Sequence, residues 1–400
     1  MTHENMPGVL TELLLLAGQI LLENGAETYR VEYTVSSMFH ALGGCGNIHV
    51  VSLGTQLTVD IYDGAHHTAV RRIRRRGVNL EKFSRVNDIS RKISEGALTG
   101  EQALILLREL DAKNTGSRIK QLCAAAVLVS GMFVFMIGGG IFEAVIAVIG
   151  CLIVQAYWIY IKKPASLVFV AHITSGFLLT LLAAAGTLIW NLSFERILFG
   201  AMLPLFPGVA MILAIRDTVN GDLTSGVARG VEAVLTAAGL ALGASLGLMC
   251  VSFFREFSSD LHMVIMTDVQ YAVFALLISL GAGLVLHARF KSIIAGALIG
   301  GIVYAVFLLC GGTVAGVFVA SLTLAALSET AARILKVPST LFLITGIFPL
   351  VPGAGIYKTA AQILQSSVAA ASATGNRTVA ELLFMVAGIA IVSAIFQRTS

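Results

Sequence analysis

A five-residue motif occurs twice in this chain, first as Pro204-Leu205-Phe206-Pro207-Gly208 and again, 145 positions on, as Pro349-Leu350-Val351-Pro352-Gly353. Each copy lies inside an apolar stretch long enough to cross a bilayer. A proline lacks the backbone donor and its ring clashes with the preceding turn, so two prolines three apart break a helix. Hydrocarbon tolerates such a break only where protein or a water-filled cavity covers the freed backbone. Breaks at matching places in two halves of a chain point to a binding site of the transporter type.

Composition supports that reading. Mean hydropathy is +0.86 and 56% of residues are hydrophobic, against 12% charged, which excludes an ordinary soluble protein. The charges are uneven: residues 1–120 hold 14 Lys/Arg and 13 Asp/Glu, leaving 13 and 10 for the other 280 residues. A soluble domain followed by a membrane domain is therefore expected. The net charge of +4 implies no nucleic-acid partner, because membrane loops carry a basic bias of their own. The five cysteines, Cys45, Cys123, Cys151, Cys250 and Cys310, have neither metal nor disulfide spacing and read as small buried hydrophobes. No metal or cofactor is implied.

Within the first domain, residues 7–23 and 27–42 read as helices, the second closed by Gly43-Gly44. Residues 8–22 are apolar but short for a span, so they read as an amphipathic helix of the soluble domain. His49–Leu53 and Gln56–Tyr62 flank Gly54 as a hairpin, and Thr68–Arg76 is a candidate third strand carrying Arg71, Arg72, Arg74, Arg75 and Arg76. Leu80–Ser94 and Thr99–Lys113 read as helices, the latter opened by a Thr N-cap.

Ten candidate spans follow, at roughly 121–139, 141–161, 166–189, 195–215, 228–254, 268–288, 292–311, 313–334, 339–359 and 378–397. With the N-terminal domain in the cytoplasm, the inner loops carry eleven basic residues: Arg118, Lys120, Lys162, Lys163, Arg216, Arg229, Arg289, Lys291, Arg333, Lys336 and Arg398. The outer loops carry four: Arg196, Arg255, Lys358 and Arg377. That bias obeys the positive-inside rule. Five spans per half put the second half upside down relative to the first. The expected fold is thus an α-helical polytopic membrane protein, its ten transmembrane helices forming a 5+5 inverted repeat, with an N-terminal cytoplasmic α/β domain. The expected divisions are 1–117, 118–257 and 258–400.

Ionisable groups near a broken helix are functional candidates. Arg216-Asp217 follows the first break and Lys358 the second; a cation beside a free helix end suits a carboxylate. The plain alternative is that each anchors a helix end in the headgroups. Asp222 and Arg229 read as loop and snorkelling residues, with an inner gate as the alternative. Glu329 and Arg333 share a helix face and suit either a relay or an interfacial salt bridge. His172 reads as a packed helix contact, and Glu143, Glu232 and Glu381 carry little individually. The small-residue pairs Gly296…Gly300 and Gly312…Gly316 suit close helix packing. In the soluble domain, Glu27 and Arg30 read as a local i,i+3 pair. The candidate substrate-contacting set is Pro204, Pro207, Gly208, Arg216, Asp217, Glu329, Pro349, Pro352, Gly353 and Lys358. No Walker A or G-x-G-x-x-G motif is present, so ATP hydrolysis by this chain is not indicated.

Three runs resemble the threonine/serine exporter family. These are Gly25-Ala26-Glu27-Thr28-Tyr29-Arg30-Val31-Glu32, the Pro207–Arg229 run with its R-D, G-D, S-G and R steps, and Ser328–Gly353 with its S-E-T-A-A-R and P-L-V-P-G steps. Members occur as one fused chain or as two proteins, and this chain is similar to the fused form. The resemblance implies a non-enzymatic secondary exporter of small hydroxylated amino acids, threonine and serine, in a bacterial inner membrane and driven by the proton-motive force. Its partners are then a small-molecule substrate and the lipid bilayer, and a homo-oligomer is compatible with it. The split members are similar to dicarboxylate (succinate) exporters, so a dicarboxylate stays open as substrate. A membrane-anchored hydrolase is a third reading, though Ser36, Ser37, Cys45 and Ser52 lack a nucleophile's motif context.

Overall fold

The structure, a computed structural model, describes residues 6–74, 77–113, 119–160, 168–252, 266–353, 355, 358–359, 362 and 367–398. Arg75, Arg76, Arg118, Lys162, Lys163 and Arg255, and several residues of the expected ninth span, lie outside the described residues. The chain divides into two compact units. The first is Met1–Gly116 with Leu213–Gly230 and Leu286–Arg289; the second is Ser117–Ile212 with Val231–Val285 and Phe290–Ser400. The first unit thus contains two segments beyond the N-terminal stretch.

The first unit opens with helices α1 (Met6–Glu23) and α2 (Thr28–Ala41). Strands β1 (Asn47–Leu53), β2 (Gln56–Tyr62) and β3 (His66–Arg72) form an antiparallel sheet in sequence order. Helices α3 (Leu80–Ser94) and α4 (Gly100–Ala112) follow. Strand alternation turns Leu57, Val59 and Ile61 of β2 inward. They meet a core of Leu13, Leu14, Ala17, Ile20 and Leu21 from α1, Val31, Val35 and Met38 from α2, and Phe83 and Val86 from α3, all fully buried. Helix α1 is therefore a core helix, surrounded by α2, α3, α4 and the sheet. Local chemistry sets the ends. The Asn79 side chain accepts from Lys82 N at the start of α3, and Thr99 and Gln102 form a reciprocal capping box on α4. The third strand stops at Arg72, where Ile73 N turns to Thr55 O.

In the second unit, α5 (Ile119–Ala126), a π turn (Val127–Gly131) and α6 (Met132–Met136) make one interrupted rod. Helices α7 (Ile141–Tyr160), α8 (Val168–Trp190) and α9 (Phe194–Met202) follow. Past the first break come α10 (Gly208–Val219) and α11 (Leu223–Ser252), whose facing ends, 213–219 and 223–230, belong to the first unit. The remainder is α12 (Asp268–Val285), α13 (Phe290–Leu309), α14 (Val314–Leu335), α15 (Thr340–Ile347) and α16 (Val368–Arg398).

Seven of these helices are long and apolar enough to span a membrane, or eight spans when α9 and α10, bent by 46°, count as one. Two of the ten expected spans differ. The first is the shorter apolar helix Gln121–Met136, interrupted by its π turn, and the ninth is Thr340–Leu350, ended by its break. Helix pairs repeat: α7 packs on α8 and α9 as α13 packs on α14 and α15. Glycines permit close approach. Gly243 of α11 lies against the Ile173 backbone of α8, and Gly300 of α13 against Ser279 of α12. Gly312, expected to pack helices, instead sits at φ +63° in the turn before α14. We expect Phe83→Ala, which empties the core of the first unit, to destabilise that unit by about 3–5 kcal/mol in denaturant unfolding; a change under ~1 kcal/mol would mean Phe83 is not packed as described.

Candidate functional site

The two proline motifs adopt the same backbone. A short 3₁₀ turn, Leu203–Leu205 or Phe348–Leu350, leads into an extended residue: Phe206 at φ −64°, ψ 138° and Val351 at φ −60°, ψ 124°. Each extended residue precedes a proline, whose Cδ excludes the helical region there. Each motif glycine then donates its N–H to the carbonyl of that residue, Gly208 to Phe206 and Gly353 to Val351, both at 2.8 Å.

The motifs also pack on each other reciprocally. A Cβ on Gly208 would stand 3.2 Å from Val351 Cγ2, and one on Gly353 would stand 2.6 Å from Phe206 Cε2. Each glycine thus receives the variable residue of the other motif. The break frees backbone acceptors as well. Pro204 offers no N–H to Gly200 O, and the Ser130 hydroxyl, from the π turn, donates to that carbonyl. Lys358, beyond the second break, places Nζ 5.8 Å from the Phe199 ring centroid, one helical turn before the first break. Among the described residues no carboxylate is paired with Lys358.

Arg216 and Asp217 are placed differently from Lys358. Both are buried in the first unit, with residues of the Gly25–Glu32 run. Arg216 Nη1 lies 2.7 Å from Glu27 Oε1, and Arg30 Nε lies 3.2 Å from the other oxygen, Oε2. Asp217 Oδ1 accepts both the backbone N–H (3.2 Å) and the hydroxyl (3.1 Å) of Thr28. Arg229 bridges the two segments, with Nε 3.2 Å from Asp217 Oδ2 and Nη2 donating to Ala26 O at 2.9 Å. Thr28 is the first residue of α2, and the Glu27 side chain does not cap that helix. Asp217 therefore caps α2 from 189 positions away, a carboxylate placed at a positive helix end. Arg229 is a buried ion-pair partner rather than a snorkelling residue. Gly221, at φ +91°, makes the turn between α10 and α11, and Asp222 accepts from Ser225 N at 3.0 Å to cap α11. Burial penalises the Asp222 carboxylate, but the Ser225 N–H, the Thr28 hydroxyl and the Arg229 charge together hold it below its usual range. Burial raises Glu32 above its usual range, with the Asp222 charge adding to the shift and the Ser52 N–H opposing it.

The remaining candidates are local. His172 bonds Val168 O at 2.8 Å and meets the Trp158 ring edge-on, so it is a packed helix contact. Glu143 accepts from Gly140 N at the start of α7, and Glu381 pairs with Arg377 at 2.9 Å. Arg333 lies over the Phe396 ring, while Glu329 is half-buried on the same helix. Ser52 is bound on both sides, its hydroxyl donating to Thr28 O and its N–H to Glu32. The Glu27–Arg30 contact was legible from spacing. The Glu27–Arg216 and Thr28–Asp217 contacts were not; only the density of polar residues in the two runs hinted at them.

These features define a polytopic helical membrane protein with two proline-broken helices in mutual contact. Comparison with known families then places it. Residues 12–251 match the family model described as "Putative threonine/serine exporter", and residues 271–395 match "Threonine/Serine exporter, ThrE". The chain belongs to the threonine/serine exporter family, a family of transporters. It is 24% identical over 380 residues to a threonine/serine exporter of Corynebacterium glutamicum, covering 89% of this chain and 76% of that one. No solved structure matches it.

The reciprocal packing makes a graded prediction. Gly353→Ala forces the Phe206 ring to move and should cost about 1–3 kcal/mol, whereas Gly208→Ala, which meets the Val351 side chain less closely, should cost less than half as much. Phe206→Leu should recover part of the Gly353→Ala loss. Thermal unfolding midpoints in detergent would check this, and equal effects of the two substitutions would refute the packing.

Proposed function

We propose that this chain exports small hydroxylated amino acids, threonine and serine, as a secondary carrier across a bacterial inner membrane. The observation that carries the reading is the mutual packing of the two P-L-x-P-G breaks. Family membership and the name of the C. glutamicum relative, a threonine/serine exporter, support the substrate class. The absence of a phosphate-binding loop from the sequence favours a gradient, the proton-motive force, over ATP. Neither the relatives nor the site favours a dicarboxylate or a hydrolase.

The architecture we propose is ten spans as a 5+5 inverted repeat, the two shorter apolar helices counting as the first and ninth. The matched backbone of the two breaks and the repeated helix pairing support it. The excess of basic residues on one set of loops supports a cytoplasmic N-terminal domain and C-terminus. Pro204, Pro207, Gly208, Pro349, Pro352 and Gly353 line the substrate site in this reading. Lys358 supplies the charge for the substrate carboxylate, and Glu329 remains a relay candidate. The contact between the motifs is then the closed state of a central gate, with Phe206 and Val351 as its apolar faces.

Proteoliposomes containing the protein should move threonine and serine under an imposed proton gradient and leave succinate untouched; movement of succinate alone would refute the substrate class. Lys358→Gln should weaken apparent threonine affinity by roughly ten- to a hundredfold, the worth of a charged hydrogen bond. An unchanged affinity would return Lys358 to a helix anchor. Pro207→Ala and Pro352→Ala should each abolish transport while leaving the protein in the membrane; full export would make the breaks packing kinks.

A further inference from the structure

The cluster formed by Glu27, Thr28, Arg216, Asp217 and Arg229 has no part in the substrate site proposed above. It is nevertheless among the most deeply buried charged groups in the described chain. Glu27 and Asp217 are 0% exposed, Arg216 4% and Arg229 5%. Buried ions persist only when paired, and removal of one partner leaves the other uncompensated. Three of the partnerships join residues 26–28 to residues 216–229. Arg216 takes Glu27, Asp217 takes the first N–H of α2 and its Thr28 hydroxyl, and Arg229 takes the Ala26 carbonyl. Arg216 and Asp217 occupy the last turn of α10, the helix that begins at Gly208 of the first break.

We infer that Glu27 is a positioning residue for transport. Through Arg216 it fixes the far end of the helix that leaves the first break, and the N-terminal segment is thereby part of the transport machinery. The inference rests on the proposed export activity. It assigns Arg216 and Asp217 to holding α10, so neither contacts the substrate.

The test is a double-mutant cycle in the full chain with Glu27→Gln, Arg216→Gln and the pair, read both as threonine transport in proteoliposomes and as unfolding midpoint in detergent. Each single variant should cut the maximal rate at least about tenfold with apparent affinity held within about twofold, and the double variant should be no slower than the slower single. The midpoints should show the same lack of additivity. Parent-like transport by Glu27→Gln, or single effects that multiply in the double variant, would overturn the inference. So would an affinity loss at unchanged rate in Arg216→Gln, which would put Arg216 on the substrate. If Glu27→Gln does not accumulate, Thr28→Val removes the hydroxyl donated to Asp217 and keeps the N–H. It should slow transport at least about threefold, and parent-like rates would again overturn the inference. A parent protein that moves neither threonine nor serine refutes the export reading instead. The midpoint cycle then still decides whether Glu27 holds Arg216: coupling supports the clamp, and additivity ends it.

Discussion

A helix broken by two prolines in apolar surroundings leaves backbone groups that water cannot reach, and the second unit is organised around satisfying them. Pro204 withdraws the donor of Gly200 O, and Ser130 supplies one. The π turn that holds Ser130 lies within the first apolar helix, so the irregularity of that helix and the repair of the break fall at the same place. The extended residue in each motif swings its side chain outward, and the only backbone able to accept it closely is a glycine. Each motif ends in one. The breaks therefore complement each other, and neither can straighten or separate without exposing what the other covers.

The same demand, expressed in charge, governs the first unit. Two carboxylates and two guanidiniums without solvent are tolerable only when paired. Their pairing ties the start of α2 to the end of α10 and the start of α11. Helix α10 runs from Gly208 at the break to Val219, roughly 18 Å at the α-helical rise. It is a single unbroken segment, and its last turn carries Arg216 and Asp217. The Arg216 partner lies 189 positions away in sequence.

Much of the local structure was legible in the chain itself. Gly43-Gly44 and the Thr99 cap marked helix ends, β-branched runs around Gly54 marked the hairpin, and the P-L-x-P-G pair marked both breaks. These signals are short-range, and steric or hydrogen-bonding rules apply to them directly. Glu27 was read only as the i,i+3 partner of Arg30. That contact exists, at 3.2 Å, but the shorter contact is to Arg216, at 2.7 Å. No spacing rule connects positions 27 and 216, so the second partner was invisible. For the same reason Arg229 read as a snorkelling residue: a lone arginine at a span end has that as its default when its acceptor cannot be seen. Phe206 and Val351 looked like spacers between prolines, because a side chain's role as filler is set by what lies opposite.

The likeness of the two breaks makes their differences informative. Both are followed by a basic residue, Arg216 after the first and Lys358 after the second. Arg216 is neutralised by Glu27, whereas Lys358 rests over the Phe199 ring with no carboxylate partner among the described residues. An amino acid carries one carboxylate, so a pair of equivalent cations would offer two competing registers for it. On the proposed reading, committing Arg216 to structure leaves Lys358 as the single anchoring charge. The variable residues break the symmetry in the same way: the Phe206 ring and the smaller Val351 side chain face each other's glycines.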